Sequence, residues 1–323
     1  MILHFHLLVA IRSGLQTVES MSFGMRLVAM ARRVAATATA SASPWGFHRY
    51  SSSATGLMHP RFGRIGSDGL PESVDWTKQG AVTPVSSQGD CGSCWLFATT
   101  ASMEGINAIM SNCLVKLSEQ QLLDCVTCSS DGCEGGRVVP AFRYLHRNGG
   151  QVLNDVYPYT AEVNTVHKRV IAPAVSIDGF AFTYGGTEKK LKVAVASQPV
   201  VVALGADKAF VEYDGGVVDS KNYTFAELST TKFRGSYIGH YVTVVGYGIT
   251  EFGELFWLVK NSHGVDYGED GYIRIARETG KEGGAFGIAR FFAYPVKKNG
   301  KNNRRCMVRS EAELYGCKCI HWI

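Results

Sequence analysis

Between residues 94 and 110 the chain runs CWLFATTASMEGINAIM, with apolar side chains returning every three or four positions and no proline among them. That period is helical, and it predicts a helix whose first residue is Cys94. LSEQQLLDC at 117–125 follows, with a serine ahead of its acids as a helix start favours. Past residue 200 the period changes. VVVAL at 200–204, YVTVV at 241–245, LFWLV at 255–259 and GYIRI at 271–275 are rich in β-branched and aromatic residues and separated by glycine-rich turns, so each predicts a strand. Helices first and strands later predict an α+β protein in two lobes, whose cleft is a natural binding site.

The patterned body runs from Leu70, where LPESVDW brings in acids, a proline and a tryptophan, to about Lys297. The expected domains are thus an arm at 1–69, a body at 70–297 and a tail at 298–323. In the arm, ILHFHLLVAI at 2–11 suggests the apolar core of a secretory leader, but two histidines interrupt it and no basic residue precedes it. From Ser20 to Ser67 there is no Asp or Glu, while Arg26, Arg32, Arg33, Arg49, Arg61 and Arg64 lie among Ala, Ser and Thr. That composition suits a mitochondrial or plastid transit peptide; the plain alternative is a low-complexity arm without an address. The tail opens with the basic run KKNGKNNRRC and goes on to Cys317 and Cys319. A solvated tail is expected, because two close thiols cannot complete a tetrahedral zinc site.

The 323 residues allow about two domains at roughly 150 residues each, or one composite fold. With 46% hydrophobic and 19% charged residues, disorder, collagen-like repetition and coiled coil are excluded. The net charge is +5, with several basic residues in the two ends, so nucleic acid is not an expected partner. No uninterrupted apolar run approaches the roughly 18 residues of a membrane-spanning helix. Nine cysteines are an odd number, so in an oxidising compartment at least one thiol of a monomer is unpaired.

QGDCGSCWLF at 88–97 holds Cys91 and Cys94 as a C-x-x-C, and three chemistries compete for it. A thioredoxin-like centre would use both sulfurs at a helix start, though VTPVSSQGD offers a poor preceding strand. A zinc site would join them to Cys125 and Cys128. A nucleophilic centre would use one sulfur, together with a base, an orienting group and an oxyanion donor.

CGSCW at 91–95 fits the papain-type signature, and the likeness runs on through LPESVDWTKQGAVTPVSSQGDCGSCW, LSEQQLLDC, GCEGG, YPY, QPVVVAL, GHYVTVVGYG, LVKNS and GEDGYIRI. Over about residues 70–297 the chain resembles the papain-like cysteine peptidases. The resemblance implies a helical left lobe and a β-barrel-like right lobe, with the active site between them. It also implies that Cys94 is the nucleophile, His240 its base in a thiolate–imidazolium pair, Asn261 the orienter of the imidazole and Gln88 an oxyanion donor. Cys91 and Cys133 match a family disulfide. Gly135 and Gly136 match the stretch that pairs with an extended substrate, and Ala203 and Phe291 fall in the main specificity pocket, where a large ring would favour small or medium apolar side chains.

The chain also departs from the family. Cys125 lacks its expected partner near Val166, leaving it free or paired with Cys113 or Cys128. A third family bridge is missing at both ends, with Phe286 at one of them. His263 replaces the tryptophan that covers the Asn–His hydrogen bond, and Tyr267 replaces a second one. An exposed bond would orient the imidazole less well, and a charged His263 would repel it. The arm shows no helical signature of the family's pro-region.

The expected function is cysteine endopeptidase, with reduced activity, needing no metal or cofactor. A noncatalytic papain-like binding protein is the alternative. Expected partners are protein or peptide substrates and protein inhibitors, and the expected state is monomeric. The family context implies the secretory route to a vacuole or lysosome or out of the cell, and Asn222 in N-Y-T is a candidate glycan acceptor.

Overall fold

The computed structural model describes residues 61–127, 130–164, 172–220, 223 and 239–298, with the backbone of Met58–His59. The arm as far as residue 57, the tail from 299, Asn222 and Cys128 lie outside the described residues. In chain order come β1 (Met58–His59), β2 (Gly63–Arg64), β3 (Val74–Asp75), α1 (Cys94–Ser111), α2 (Glu119–Cys125) and α3 (Val138–Arg147). There follow β4 (Gly179–Tyr184), α4 (Glu188–Val195), β5 (Val200–Gly205), α5 (Lys208–Val211) and β6 (Val217–Val218). The last are β7 (Gly239–Ile249), β8 (Leu255–Lys260), β9 (Tyr272–Ala276) and β10 (Phe291–Val296).

β1 and β2 pair as a short hairpin. The main sheet runs in the order β4-β10-β5-β7-β8-β9-β6, with β3 added to β7. Its pairings are antiparallel except for β6 beside β9. The fold is the expected α+β arrangement of two lobes, and among the described residues no pairing joins β4 to β6, so the β-barrel-like right lobe carries a sheet that is not closed. Closure would require a regular strand tilt and stagger. Here β6 is two residues long and parallel to its neighbour, which leaves little edge to pair.

β5 decides where the two lobes meet. Its residues are all buried, which explains why its sequence does not alternate. Val200, Val202 and Leu204 face a core shared with Leu191 and Val195 of α4, Val244 of β7, Trp257 of β8 and Phe286. Val201 and Ala203 face the other core, with Trp95, Leu96 and Met103 of α1, Leu122 of α2 and Phe142 and Leu145 of α3. One strand thereby separates a helical core from a sheet core.

α1 begins at Cys94 as its period predicts, and α2 starts behind Ser118, whose hydroxyl accepts from the Gln121 N–H at 3.0 Å. Trp76 anchors the start of the body by donating its indole N–H to the Val195 carbonyl at 2.7 Å. No helix among the described residues is long and apolar enough to cross a membrane.

α1 lies close to the turn before β5 at Gly105. A Cβ there would stand 2.5 Å from Pro199 Cγ and 3.2 Å from the Ala81 carbonyl oxygen. Ser102 holds this proline in place through a 2.8 Å bond to its carbonyl. Gly105→Ala should therefore destabilise the protein: overpacking costs about 1–3 kcal/mol, whereas alanine's helix preference returns about 1 kcal/mol. Urea unfolding should show a lower midpoint, and an unchanged or higher one would mean that α1 is not seated this closely.

Candidate active site

Cys94 is the first residue of α1 and the free cysteine among the described residues. Burial pushes its thiol up to about 11, against the backbone N–H groups of Tyr241, Trp95 and Cys94 itself, which favour the thiolate. The Tyr241 amide belongs to the residue after His240, so this contact seats the sulfur against the start of β7.

His240 is only 5% exposed. Its Nε2 lies 2.8 Å from Asn261 Oδ1, and that oxygen also accepts from the Ser262 N–H at 2.9 Å. The hydrogen-bond network therefore assigns the amide oxygen to the ring, puts the imidazole hydrogen on Nε2 and leaves Nδ1 bare as a base. Asn261 follows directly on β8, so the pair is fixed by two neighbouring strands. Burial pushes the imidazole down to about 4, with His263 adding to the shift and Asn261 opposing it.

The raised thiol and the lowered imidazole share one cause: desolvation works against the charged form of each group taken alone.

Gln88 is tied on three sides. Its backbone N–H donates to the Ser262 carbonyl at 2.8 Å, its Nε2 donates to the Cys91 carbonyl at 2.8 Å, and its Oε1 accepts from Ser262 Oγ at 2.6 Å. One Nε2 hydrogen remains for a ligand. Tyr159 braces the same segment, donating to the Gln88 carbonyl at 2.9 Å and meeting Ser93 Oγ at 2.6 Å. Ser262 and Tyr159 were not singled out from sequence, since only the fold brings them to residue 88.

Cys91 and Cys133 form a disulfide, with their Cα atoms 4.5 Å apart. The thioredoxin-like and four-cysteine zinc readings both lose the Cys91 sulfur. Cys113 and Cys125 are disulfide-bonded as well, so Cys125 is not free. Beyond Cys133, Gly135 adopts φ +132°, and a Cβ on Gly136 would stand 2.2 Å from the Trp95 ring. Both positions thus present backbone without side chain, and Gly136 does so against the residue that follows Cys94.

Ala203 pairs with Phe291 on one side and Tyr241 on the other, so the three lie in one row across β10, β5 and β7. The Phe291 ring stands 5.2 Å from that of Tyr184 and 6.1 Å from that of Tyr241. Tyr184 and Tyr241 gave no signal in the sequence, because strand register alone makes them neighbours of Phe291.

The Asn261–His240 bond is not exposed as the loss of the covering tryptophan suggested, since its two residues are 4% and 5% exposed. His263 takes part in the arrangement: its Nδ1 lies 3.1 Å from Asn261 Nδ2, and its ring is 4.9 Å from that of His240. Tyr267, also buried, presents its ring edge-on to His263 at 5.5 Å and donates its hydroxyl to the Phe210 carbonyl at 2.6 Å.

Behind the site a buried charge cluster links the elements. Thr83 Oγ1 donates to Glu104 Oε2 at 2.5 Å, Lys260 Nζ donates to the Thr83 carbonyl at 2.8 Å, and Lys116 lies 3.5 Å from Glu104 and also contacts Glu119. Two acids and two lysines thus meet below Asn261. Burial lowers Lys260 to about 8.

The cysteine that opens α1, packed against the residue after His240, and the His240–Asn261 bond place the site where the two cores meet. Residues 70–296 match the family model described as papain family cysteine protease, and the chain belongs to that family. It is 46% identical over 237 residues to cysteine proteinase EP-B 1 of Hordeum vulgare, covering 72% of this chain and 61% of that protein. It is 45% identical over 232 residues to zingipain-2 of Zingiber officinale, covering 72% and 99%. The chain thus spans about three fifths of the barley protein, and 62% of the rice endopeptidase Rep1. Among solved structures, the bromelain protease of Ananas comosus in complex with the E64 inhibitor matches with a TM-score of 0.64 and 37% identity, covering 71% of this chain and all of that one.

The depressed imidazole makes stability depend on pH. The unfolded chain binds the His240 proton near 6.5, the native protein only near 4. The unfolded state therefore holds more protons between these values, and stability falls as pH is lowered through the window, by up to about 3 kcal/mol for this group. Relative to a His240→Gln variant, the urea midpoint of the native protein should drop between pH 7 and 4.5. Parallel behaviour of the two would show that the native imidazole titrates as it does in the unfolded chain, and a relative rise would show that it is already charged.

Proposed function

We propose that residues 70–297 are the unit of a cysteine endopeptidase that breaks peptide bonds through an acyl-enzyme on Cys94. The observation that carries this reading is the placement of the Cys94 sulfur against the amide following His240, with the far nitrogen of that imidazole bonded to Asn261. The names of the relatives, and the inhibitor bound in the bromelain structure, support it.

In this mechanism Sγ attacks the carbonyl carbon as its proton passes to His240 Nδ1, so charge appears only with bond formation. The carbonyl oxygen becomes an oxyanion, taken up by the Cys94 N–H and the spare hydrogen of Gln88 Nε2. The imidazolium then gives its proton to the departing amine and leaves a thioester on Cys94. Water attacks the thioester with His240 as base, releasing the acid and restoring the thiol. Asn261 keeps Nδ1 directed at the sulfur throughout. No cofactor or metal takes part.

Gly135 and Gly136 pair through their backbone with an extended protein or peptide substrate. Ala203, Phe291, Tyr184 and Tyr241 line its main side-chain pocket, where the Phe291 ring favours small or medium apolar groups. Protein inhibitors would occupy the same cleft, and the working form is a monomer. Residues 1–69 act as an address-bearing arm and 298–323 as a solvated basic tail. The secretory route is the favoured destination, since the disulfides at Cys91–Cys133, Cys113 and Cys125 need an oxidising compartment.

The second reading, a papain-like protein that binds without cleaving, draws on the raised thiol of Cys94 and the lowered imidazole of His240. Labelling the full chain with a thiol-directed epoxide, alongside a peptide-hydrolysis assay, separates the two. Hydrolysis should be lost on the order of 10⁴-fold in Cys94→Ala, together with the label. Peptide binding without Cys94-dependent hydrolysis would favour the binding protein.

A further inference from the structure

Asn261 sits between two imidazoles. Its Oδ1 faces His240 Nε2 at 2.8 Å and its Nδ2 faces His263 Nδ1 at 3.1 Å. An amide nitrogen only donates, so His263 must accept through a bare Nδ1 and is therefore neutral, with its hydrogen on Nε2. The orientation of the Asn261 amide then rests on two bonds, the one from the Ser262 N–H and the one to His263. That orientation in turn keeps the hydrogen of His240 on Nε2 and Nδ1 free.

We propose that His263 is a positioning residue for His240: its neutral Nδ1 holds the Asn261 amide in the working orientation, and a proton gained there releases it, giving the site an acid-side switch. The proposal rests on the peptidase reading. A proton on His263 Nδ1 sets N–H against N–H across the 3.1 Å contact. Turning the amide over lets Oδ1 accept from His263, at the cost of the bond from the Ser262 N–H, which the amide nitrogen cannot accept. The Nδ2 group now faces His240 and demands a bare Nε2, so the ring hydrogen must sit on Nδ1 after exchange with solvent. Nδ1 is the atom that has to receive the thiol proton, and in this tautomer it cannot. A charged His263 with its ring 4.9 Å away also opposes the imidazolium that forms on His240. Both effects act in the same direction.

Solvent can deliver that proton, since His263 is exposed on its outer side. Its neighbours are His240 from β7, Tyr267 from its own loop and Ser87 from the segment before α1, which pairs with it as an isolated bridge. No carboxylate contributes to its titration, and the packing of its inner side holds its pKa below the ordinary 6.5. The switch accordingly works below pH 6.5.

The test compares kcat/KM against pH for the full chain, His263→Phe and His263→Asn, with ¹⁵N-histidine NMR of His240 in each. Asparagine offers an acceptor oxygen near the position of Nδ1 but does not titrate; phenylalanine offers none. His263→Phe should lose about tenfold at pH 7 and His263→Asn should recover most of that loss, while the acid limb of His263→Asn moves down by about half a pH unit or more. The NMR of the native chain should show the His240 hydrogen leaving Nε2 as His263 titrates. Equal acid limbs in the native chain and His263→Asn, or a His240 tautomer that does not change, would overturn the switch. Absence of Cys94-dependent hydrolysis alongside a tautomer that does respond would sink the peptidase reading and leave the relay standing.

Discussion

The first turn of α1 rests against the start of β7, and the rest of the site is arranged around that contact. A helix N-terminus carries backbone N–H groups with no partner inside the helix, so a thiol placed there meets donors at no extra cost. The next donor, the Tyr241 amide, comes from the other lobe. β5 keeps the two elements in register because its faces belong to different cores, one built on α1 to α3 and one on α4 and the long strands. A rotation of either lobe would have to disturb both. The packing that joins the two cores also makes charge expensive at Cys94 and His240.

That cost shows in both groups. Three backbone donors do not offset burial at Cys94, and the Asn261 bond does not offset it at His240. For the proposed reaction, donors already in place would meet an oxyanion without reorganisation. Ser262 ties Gln88 and Asn261 to one residue through its hydroxyl and its N–H.

Much of this was legible in the chain. The helical period at 94–110 and the strand composition of the second half gave elements close to those observed, and α1 begins on the expected residue. β7 extends further than YVTVV suggested, because Gly239 and His240 pair with Gly205 and Leu204 and its far end is paired by β3 and β8. α3, β4, α4 and β10 were not read, being short, or mixed in polarity where they face solvent on one side. β4 shows the difficulty: as an edge strand it buries none of its six residues fully. The exposed Asn–His bond was an expectation drawn from a departure from the family, and local packing overturned it.

The sequence by itself determined the helix that carries Cys94, the strand-rich second half, the family, and a set of residues that were candidates for one chemistry. Those properties depend on periodicity and on local motifs, which lie within a few residues of one another. The tertiary structure decided the desolvation of Cys94 and His240, the joining of Gln88 to Asn261 through Ser262, the row of rings around Ala203, and the contact of His263 with Asn261. Each of these depends on burial and on contacts between residues far apart in the chain, where desolvation and hydrogen-bond direction arise only once the lobes have packed.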